Sequence, residues 1–243
     1  MKYTLHSGKL GDVIYCLPAL GHIQGKLLLN CCLPRTDEAP LTVEHAGQLA
    51  ELAEAAGYQA AIWDGQQPFD VDFDRFRESA LAFRWRHLVD CHWDLVSSTS
   101  SPRGRWLRLP ALQVAPIIIT RTCRYPATGL FDWSVLKEAD CVFVGLRDEW
   151  RTFCRDFFPV PFHPTSTLLE FASVIAGAEL FVGNQSFAFA IAEGLDLPRR
   201  LEVRPEHLCN QPRTPRGRTQ ISVADLELVS SGAGRPTNLR MAG

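Results

Sequence analysis

The sequence predicts an α/β fold built on parallel sheets, and three observations carry that expectation. Short apolar runs alternate with amphipathic segments, glycine turns join them, and the alternation breaks once and then restarts. In order, residues 2–6 read as a strand, a polar glycine-spaced turn follows, and a helix is expected from residue 12 to about 24. The run "KLLLNCCL" suits a buried strand. "PLTVEHAGQLAELAEAAGY" places Leu49, Leu52, Ala53 and Ala56 at helical spacing, and "QAAIWDG" returns as a strand closed by Asp-Gly.

The middle, "FRWRHLVDCHWDLVSSTSSPRGRWLRLP", mixes Arg, His and Trp with a Ser/Pro/Gly loop and matches no single period. Beyond it "APIIITRT" and "ADCVFVGL" read as buried strands, and "RDEWRTFCRDF" as an amphipathic helix. "TSTLLEFASVIAGA" reads as a helix capped by Thr165, Ser166 or Thr167, with Glu170 closing a capping box and Gly177 as the stop. It leads into the strand "ELFVGN". The break near residues 110–116 therefore predicts two Rossmann-like domains, 1–113 and 114–228, with parallel sheets facing across a cleft. Residues 229–243 have the Ser, Gly and Pro content of a frayed tail.

Composition narrows the function classes. The chain has 243 residues, 46% of them hydrophobic and 21% charged, which is enough for a core and unlike a disordered protein. A net charge of −2 gives no basic surface for nucleic acid. Eight cysteines are scattered without a C-x-x-C pair, which predicts reduced thiols and a cytoplasmic protein. There is no signal-like core and no run of about 18 apolar residues, so no transmembrane segment is expected; an encounter with a membrane surface stays open.

Two strand-to-helix turns stand out: "TLHSGKLGDVIYCL" in the first half and "ELFVGNQSFAFAIAEGL" in the second. A helix N-terminus offers unpaired amides and a positive dipole end, which can hold a phosphate or an acidic group. The simpler reading makes Asp12 a helix N-cap and Asn184 or Ser186 another. If both turns open on one cleft, one can position a reacting group while the other grips a phosphate.

These residues also carry a resemblance. "SGKLGDVIYCLPAL" is similar to the start of the family 9 glycosyltransferases, the lipopolysaccharide heptosyltransferases, with their Ser-x-x-Gly-Asp turn and Leu-Pro-Ala-Leu close. "TLLEFASVIAGAELFVGNQSFAFAIAEGLDLP" resembles their second signature, and the two occur in the family's order in opposite halves. The resemblance implies a GT-B architecture, with a nucleotide-sugar donor on the C-terminal domain and a saccharide or glycolipid-like acceptor on the N-terminal one. It implies Asp12 as the general base for an inverting, metal-independent transfer. Gly183, Asn184, Gln185 and Ser186 would form the donor turn, whose amides meet charge on the leaving diphosphate. Lys9 could assist, or be a solvated surface lysine. This chain departs from the pattern at Gln185, where the family has Asp, and at Phe187, where it has Gly. The Gly-rich loop with Lys and Trp that opens the family's second domain has no counterpart.

The Arg and Trp side chains of the middle segment suit an acceptor wall, so Arg84, Trp85, Arg86 and Trp93, together with Ser7, are the acceptor-side candidates. "DVDFD" at 70–74 contains Asp-x-Asp twice, but its setting favours a loop or helix start with Asp74 as a cap over a metal site. His87, Cys91 and His92 fit no common zinc spacing. No metal or other cofactor is expected. The alternatives are a GT-B-like module that binds without transfer, and a nucleotide-sugar epimerase or hydrolase on the same architecture.

Overall fold

A computed structural model describes residues 1–31, 41–78, 86–127, 129–204 and 206–230. Arg84, Trp85 and most of the proposed tail therefore lie outside the described residues. The first half runs β1 (Tyr3–His6), α1 (Leu10–Ile23), β2 (Lys26–Leu29), α2 (Val43–Ala55), β3 (Gln59–Ile62) and β4 (Val71–Asp72). A 3₁₀ turn, Phe73–Arg77, and a short helix α3 (Leu88–Trp93) complete it. The second half runs β5 (Ile117–Thr120), β6 (Cys141–Val144), α4 (Arg147–Asp156), β7 (Phe162–His163) and α5 (Leu168–Ala176). It continues through β8 (Leu180–Asn184), α6 (Phe187–Gly194), β9 (Arg199–Glu202), β10 (Gly217–Arg218) and α7 (Val223–Ser230).

Two sheets result, ordered β3-β2-β1-β4 and β10-β9-β8-β5-β6-β7. Every strand pairing is parallel. The α/β class and the two parallel sheets expected from the alternation are present. Three helix starts differ from expectation in detail. Helix α1 begins at Leu10 because Lys9, not Asp12, takes the extended cap position. Thr167 caps α5 by accepting from Glu170 N at 3.0 Å, but Glu170 Oε2 reaches back to Ser166 N rather than to the cap residue. In the "DVDFD" segment the cap is Asp72, which accepts from Asp74 N at 3.1 Å; Asp74 is released for another task.

Strand pleating divides the apolar side chains between the faces of each sheet. Leu27, Leu29 and Ile118 face a core that runs without interruption through α1, α2, α3, α5 and α6 between the sheets. Helix α1 packs on α6 and α3, and α2 packs on α5, so helices of both halves share this layer. Ile117 and Ile119 face the opposite side, where Trp133, Phe143 and Phe153 form a second core under α4 and α7. Among the described residues, the outer face of the first sheet carries Leu5, Leu28 and Trp63, with Tyr3 and Phe69 against them.

Strand β9 has no apolar signature because its charges are paired in the interior. Arg199 Nε donates to Glu193 Oε2 at 2.7 Å, Arg200 Nε to Asp225 Oδ2 at 2.8 Å, and Arg121 Nε to Glu202 Oε2 at 2.7 Å. Burying such ions is costly unless each finds its partner and its hydrogen bonds.

The connection between the halves lies along the second one. Trp106 N and Leu107 N both donate to Gly194 O at 2.8 Å, and Leu112 N donates to Ser173 O at 2.9 Å. A Cβ on Gly177 would fall 2.3 Å from Leu112 O, a backbone atom that cannot swing aside. Gly177→Ala should therefore lower stability by about 1–3 kcal/mol, read as a melting temperature lower by roughly 2–4 °C per kcal/mol. Gly47→Ala, inside α2 with nothing within 4 Å of the new Cβ, should raise stability by about 0.5–1 kcal/mol. Equal melting temperatures for the two variants would contradict this placement of the connection.

Candidate active site

In a parallel sheet, ligands bind outside the carboxyl ends of the strands, where neighbouring connections leave in opposite directions. In the first sheet that point lies between β1 and β4; in the second it lies between β5 and β8. The fold brings the two points together. A Cβ on Gly11 would lie 3.7 Å from Phe187 Cα and 3.8 Å from Ser186 O, so the two turns singled out in the sequence touch. Beside this contact is a cavity of about 570 Å³. Its second-half wall comes from the ends of β5 and β6 (Thr120, Arg124, Tyr125, Leu146), the approach to α5 (Thr165, Ser166, Thr167) and Gln185, Ser186 and Phe187. Leu10, His45 and Gln48 close it from the first half. Gln48 Oε1 accepts from Leu168 N at 3.0 Å, a direct bond between the halves.

The first turn is held from below by three side chains. Ser7 N donates to Asp74 Oδ1 at 2.7 Å, Asn30 Nδ2 donates to Ser7 Oγ at 2.8 Å, and Gly8 N donates to His6 Nδ1 at 2.8 Å. Only glycine fits at position 8, since a Cβ would fall 2.3 Å from the His6 ring. The imidazole chain continues. His92 Nδ1 must donate to Leu88 O at 2.8 Å, which leaves its Nε2 to accept from His6 Nε2–H at 3.2 Å. Both rings are fully buried, and burial keeps them neutral: the His6 pKa falls to about 3, aided by the nearby Arg77 charge, and that of His92 falls well below the usual value.

Asp12 is the third residue of α1 and does not cap it; the cap position is held by Lys9, whose side chain makes no capping hydrogen bond. Its carboxylate Oδ2 accepts from Arg77 Nη2 of the 3₁₀ turn, an ion pair whose side chains are 17% and 26% exposed. Asp12 is not among the residues lining the cavity, although Leu10 is and Gly11 touches Phe187.

The second turn divides its work. Gly183 and Asn184 end strand β8 and are buried. A Cβ on Gly183 would meet Thr120 O at 2.9 Å, so the glycine lets β8 approach β5. Asn184 Oδ1 accepts from Thr122 N at 2.9 Å and its Nδ2 donates to Thr122 O at 2.7 Å, which pins the loop after β5. Ser186 Oγ caps α6 by accepting from Phe189 N at 3.3 Å. Gln185 lines the cavity, and its Oε1 is buried without a hydrogen-bond partner among the described residues. Phe187 stacks on Phe171 with ring centroids 5.9 Å apart and forms an aromatic wall of the cavity.

The acceptor-side candidates are not gathered at this cavity. Ser7 is buried beneath the first turn. Trp93 is buried against the His22 ring, and its Nε1 donates to Thr99 O at 2.9 Å. Arg86 pairs with Asp94 at a separate cavity of about 280 Å³. Lys9 is the cap residue of α1 and is half-buried. His87, likewise, spends its Nδ1 accepting from Val89 N as the cap of α3. Among the described residues, no three His, Cys, Asp or Glu side chains group as a metal site requires. Cys16, Cys91, Cys123, Cys141, Cys154 and Cys209 carry free thiols.

Comparison with solved structures gives the fold its relatives. The E. coli heptosyltransferase WaaC, solved with ADP-2-deoxy-2-fluoro heptose, aligns over 95% of this chain and 99% of its own, with a TM-score of 0.58 and 13% identity. A glycosyl transferase family 9 protein from Veillonella parvula aligns over 96% and 91%, with a TM-score of 0.59 and 12% identity. The chain has the fold of the family 9 glycosyltransferases. No protein-family model matches its sequence, and no curated protein is significantly similar to it.

The roles of Arg77, of Asp74 beneath the first turn and of the His6–His92 pair are not legible in the sequence. All three act across more than 60 positions in sequence, where local pattern carries no signal. The imidazole pair sets a pH dependence. Below pH 6.5 the unfolded chain takes up protons that the folded chain refuses, so stability is complete above that pH and is lost as pH falls, toward about 3 in the case of His6, by up to about 1.4 kcal/mol per pH unit for each ring. Urea unfolding between about pH 6.5 and 5.5, above the carboxylate range, should show this slope. His92→Gln, which keeps an acceptor for His6, should lessen it; an unchanged slope in that variant would contradict the neutral pair.

Proposed function

We propose that the protein is an inverting glycosyltransferase that moves a sugar from a nucleotide-diphosphate donor to a saccharide or glycolipid-like acceptor without a metal ion. One observation carries the reading: two helix N-termini from opposite halves meet at Gly11 and Phe187 beside a cavity large enough for such a donor. A fold that serves heptosyltransferases elsewhere is consistent with it.

In this reading Asp12 accepts the proton of an acceptor hydroxyl as that oxygen attacks the anomeric carbon from the face opposite the leaving group. The bond from anomeric carbon to diphosphate oxygen breaks, and the electron pair leaves with the diphosphate. The charge gathering there meets the amides at the start of α6, the uncapped first turn of α1 and Arg124 on the cavity wall. Arg77 holds the base in one orientation, and Asp74 fixes the turn that carries it. The domains proposed are 1–113 for the acceptor and 114–228 for the donor. No described helix is long and apolar enough to cross a membrane, and the site of action proposed is the cytoplasm, with contact at a membrane surface if the acceptor is a glycolipid.

A second reading has one observation in its favour: Asp12 lies outside the cavity lining and already pairs with Arg77, as in a module that binds a donor without transferring it. Asp12→Asn separates the two. On the transferase reading it lowers turnover about 10²–10⁴-fold while a nucleoside diphosphate raises the melting temperature as in the wild type. Thermal shifts and product formation, measured side by side across a panel of nucleoside diphosphates and their sugars, make the test. If no nucleotide shifts the melting curve, the donor site is wrong; binding without turnover in the wild type favours the second reading.

A further inference from the structure

The main cavity has a smaller neighbour of about 220 Å³, and the two share Arg124, Tyr125 and Gln185 as lining. The smaller cavity adds Arg204 and His207 from the chain that leaves β9. Its titratable wall is basic throughout, apart from the Tyr125 phenol: Arg124, Arg204 and His207 line it, and no described carboxylate does. Glu202, just before it in sequence, is spent elsewhere, accepting from Arg121 Nη2 and from Ala127 N, each at 3.0 Å. At the junction stands Gln185, an uncharged residue that lines both cavities. A carboxylate at that junction would repel an anion; a carboxamide can donate to one.

We propose that this second cavity selects a donor whose transferred sugar carries an anionic substituent, a carboxylate or a phosphate on the ring, rather than a neutral sugar. The inference rests on the transferase reading, with the diphosphate in the main cavity and the sugar reaching past Gln185. Guanidinium groups pair with carboxylate and phosphate through parallel N–H donors, which gives this recognition geometry as well as charge.

The test uses sugar 1-phosphates, which need no assumption about the nucleotide base. Titration calorimetry on the full chain at low ionic strength should show glucuronate 1-phosphate binding at least about tenfold more tightly than glucose 1-phosphate. Added salt should narrow the gap. Arg204→Gln with His207→Gln, both outside the main cavity, should bring the two ligands within about twofold of each other. Equal affinities in the wild type, or a preference that survives in the double variant, would overturn the inference. A protein that responds to a nucleoside diphosphate but binds both sugar phosphates alike keeps the transferase reading and loses this one; a protein that responds to neither class loses both.

Discussion

The contact between the two glycine-marked turns is the constraint on which the rest of the structure depends. For Gly11 to lie against Ser186 and Phe187, α1 must pack along α6, and for that each sheet must present its carboxyl edge to the other. The apolar layer between the sheets enforces this arrangement through Val13, Ile14 and Leu17 on one side and Ala188, Phe189 and Ile191 on the other. Alanines at 188, 190 and 192 keep α6 slim, and close approach of helices needs small side chains at the contact. The cavity is what remains where the two helix starts diverge.

Much of the fold could be read from the chain because its signals are local. Strands β2, β5, β6 and β8 are short, mostly apolar runs, α4 is amphipathic, and Thr167 caps α5 where a threonine before a Leu-rich run would be expected to. Both turns of the site could be read for the same reason. What escaped was settled by distant partners. Strand β9 spells Arg-Arg-Leu-Glu and looks like surface, yet all four residues are buried because Glu193, Asp225 and Arg121 wait for them. Asp12 matched a cap by position, but an arginine 65 residues away claims it. Trp93 looked like a sugar platform, and the core took it instead. Residue type and spacing give candidates for a site; only the tertiary partners say which candidates are already engaged.

Charge around the cavity is disposed in the same spirit. Arg121 reaches the main cavity, but its fork grips Glu202, and the pair serves to tie the end of β5 to the end of β9. Arg124, by contrast, lies exposed beside the Tyr125 ring at the rim shared by both cavities. Its Nη2 donates to the Tyr125 hydroxyl at 3.2 Å, and the guanidinium pairs with no carboxylate among the described residues. The second half thus has structural cations committed to carboxylates, and others left at the rim for solvent or ligand.

The helical layer between the sheets has a consequence for how such a protein can change over generations. Each sheet's inner face is covered by its own helices, and the helices of the two halves bury their outer sides against one another, so neither half is a self-contained part. A recombination event that imported a foreign second half would bring an α6 and an α5 whose surfaces were shaped against a different α1 and α2. Change at the cavity is therefore easier through single substitutions at the loop ends that line it, at positions such as Gln185 and Arg204, than through exchange of whole halves.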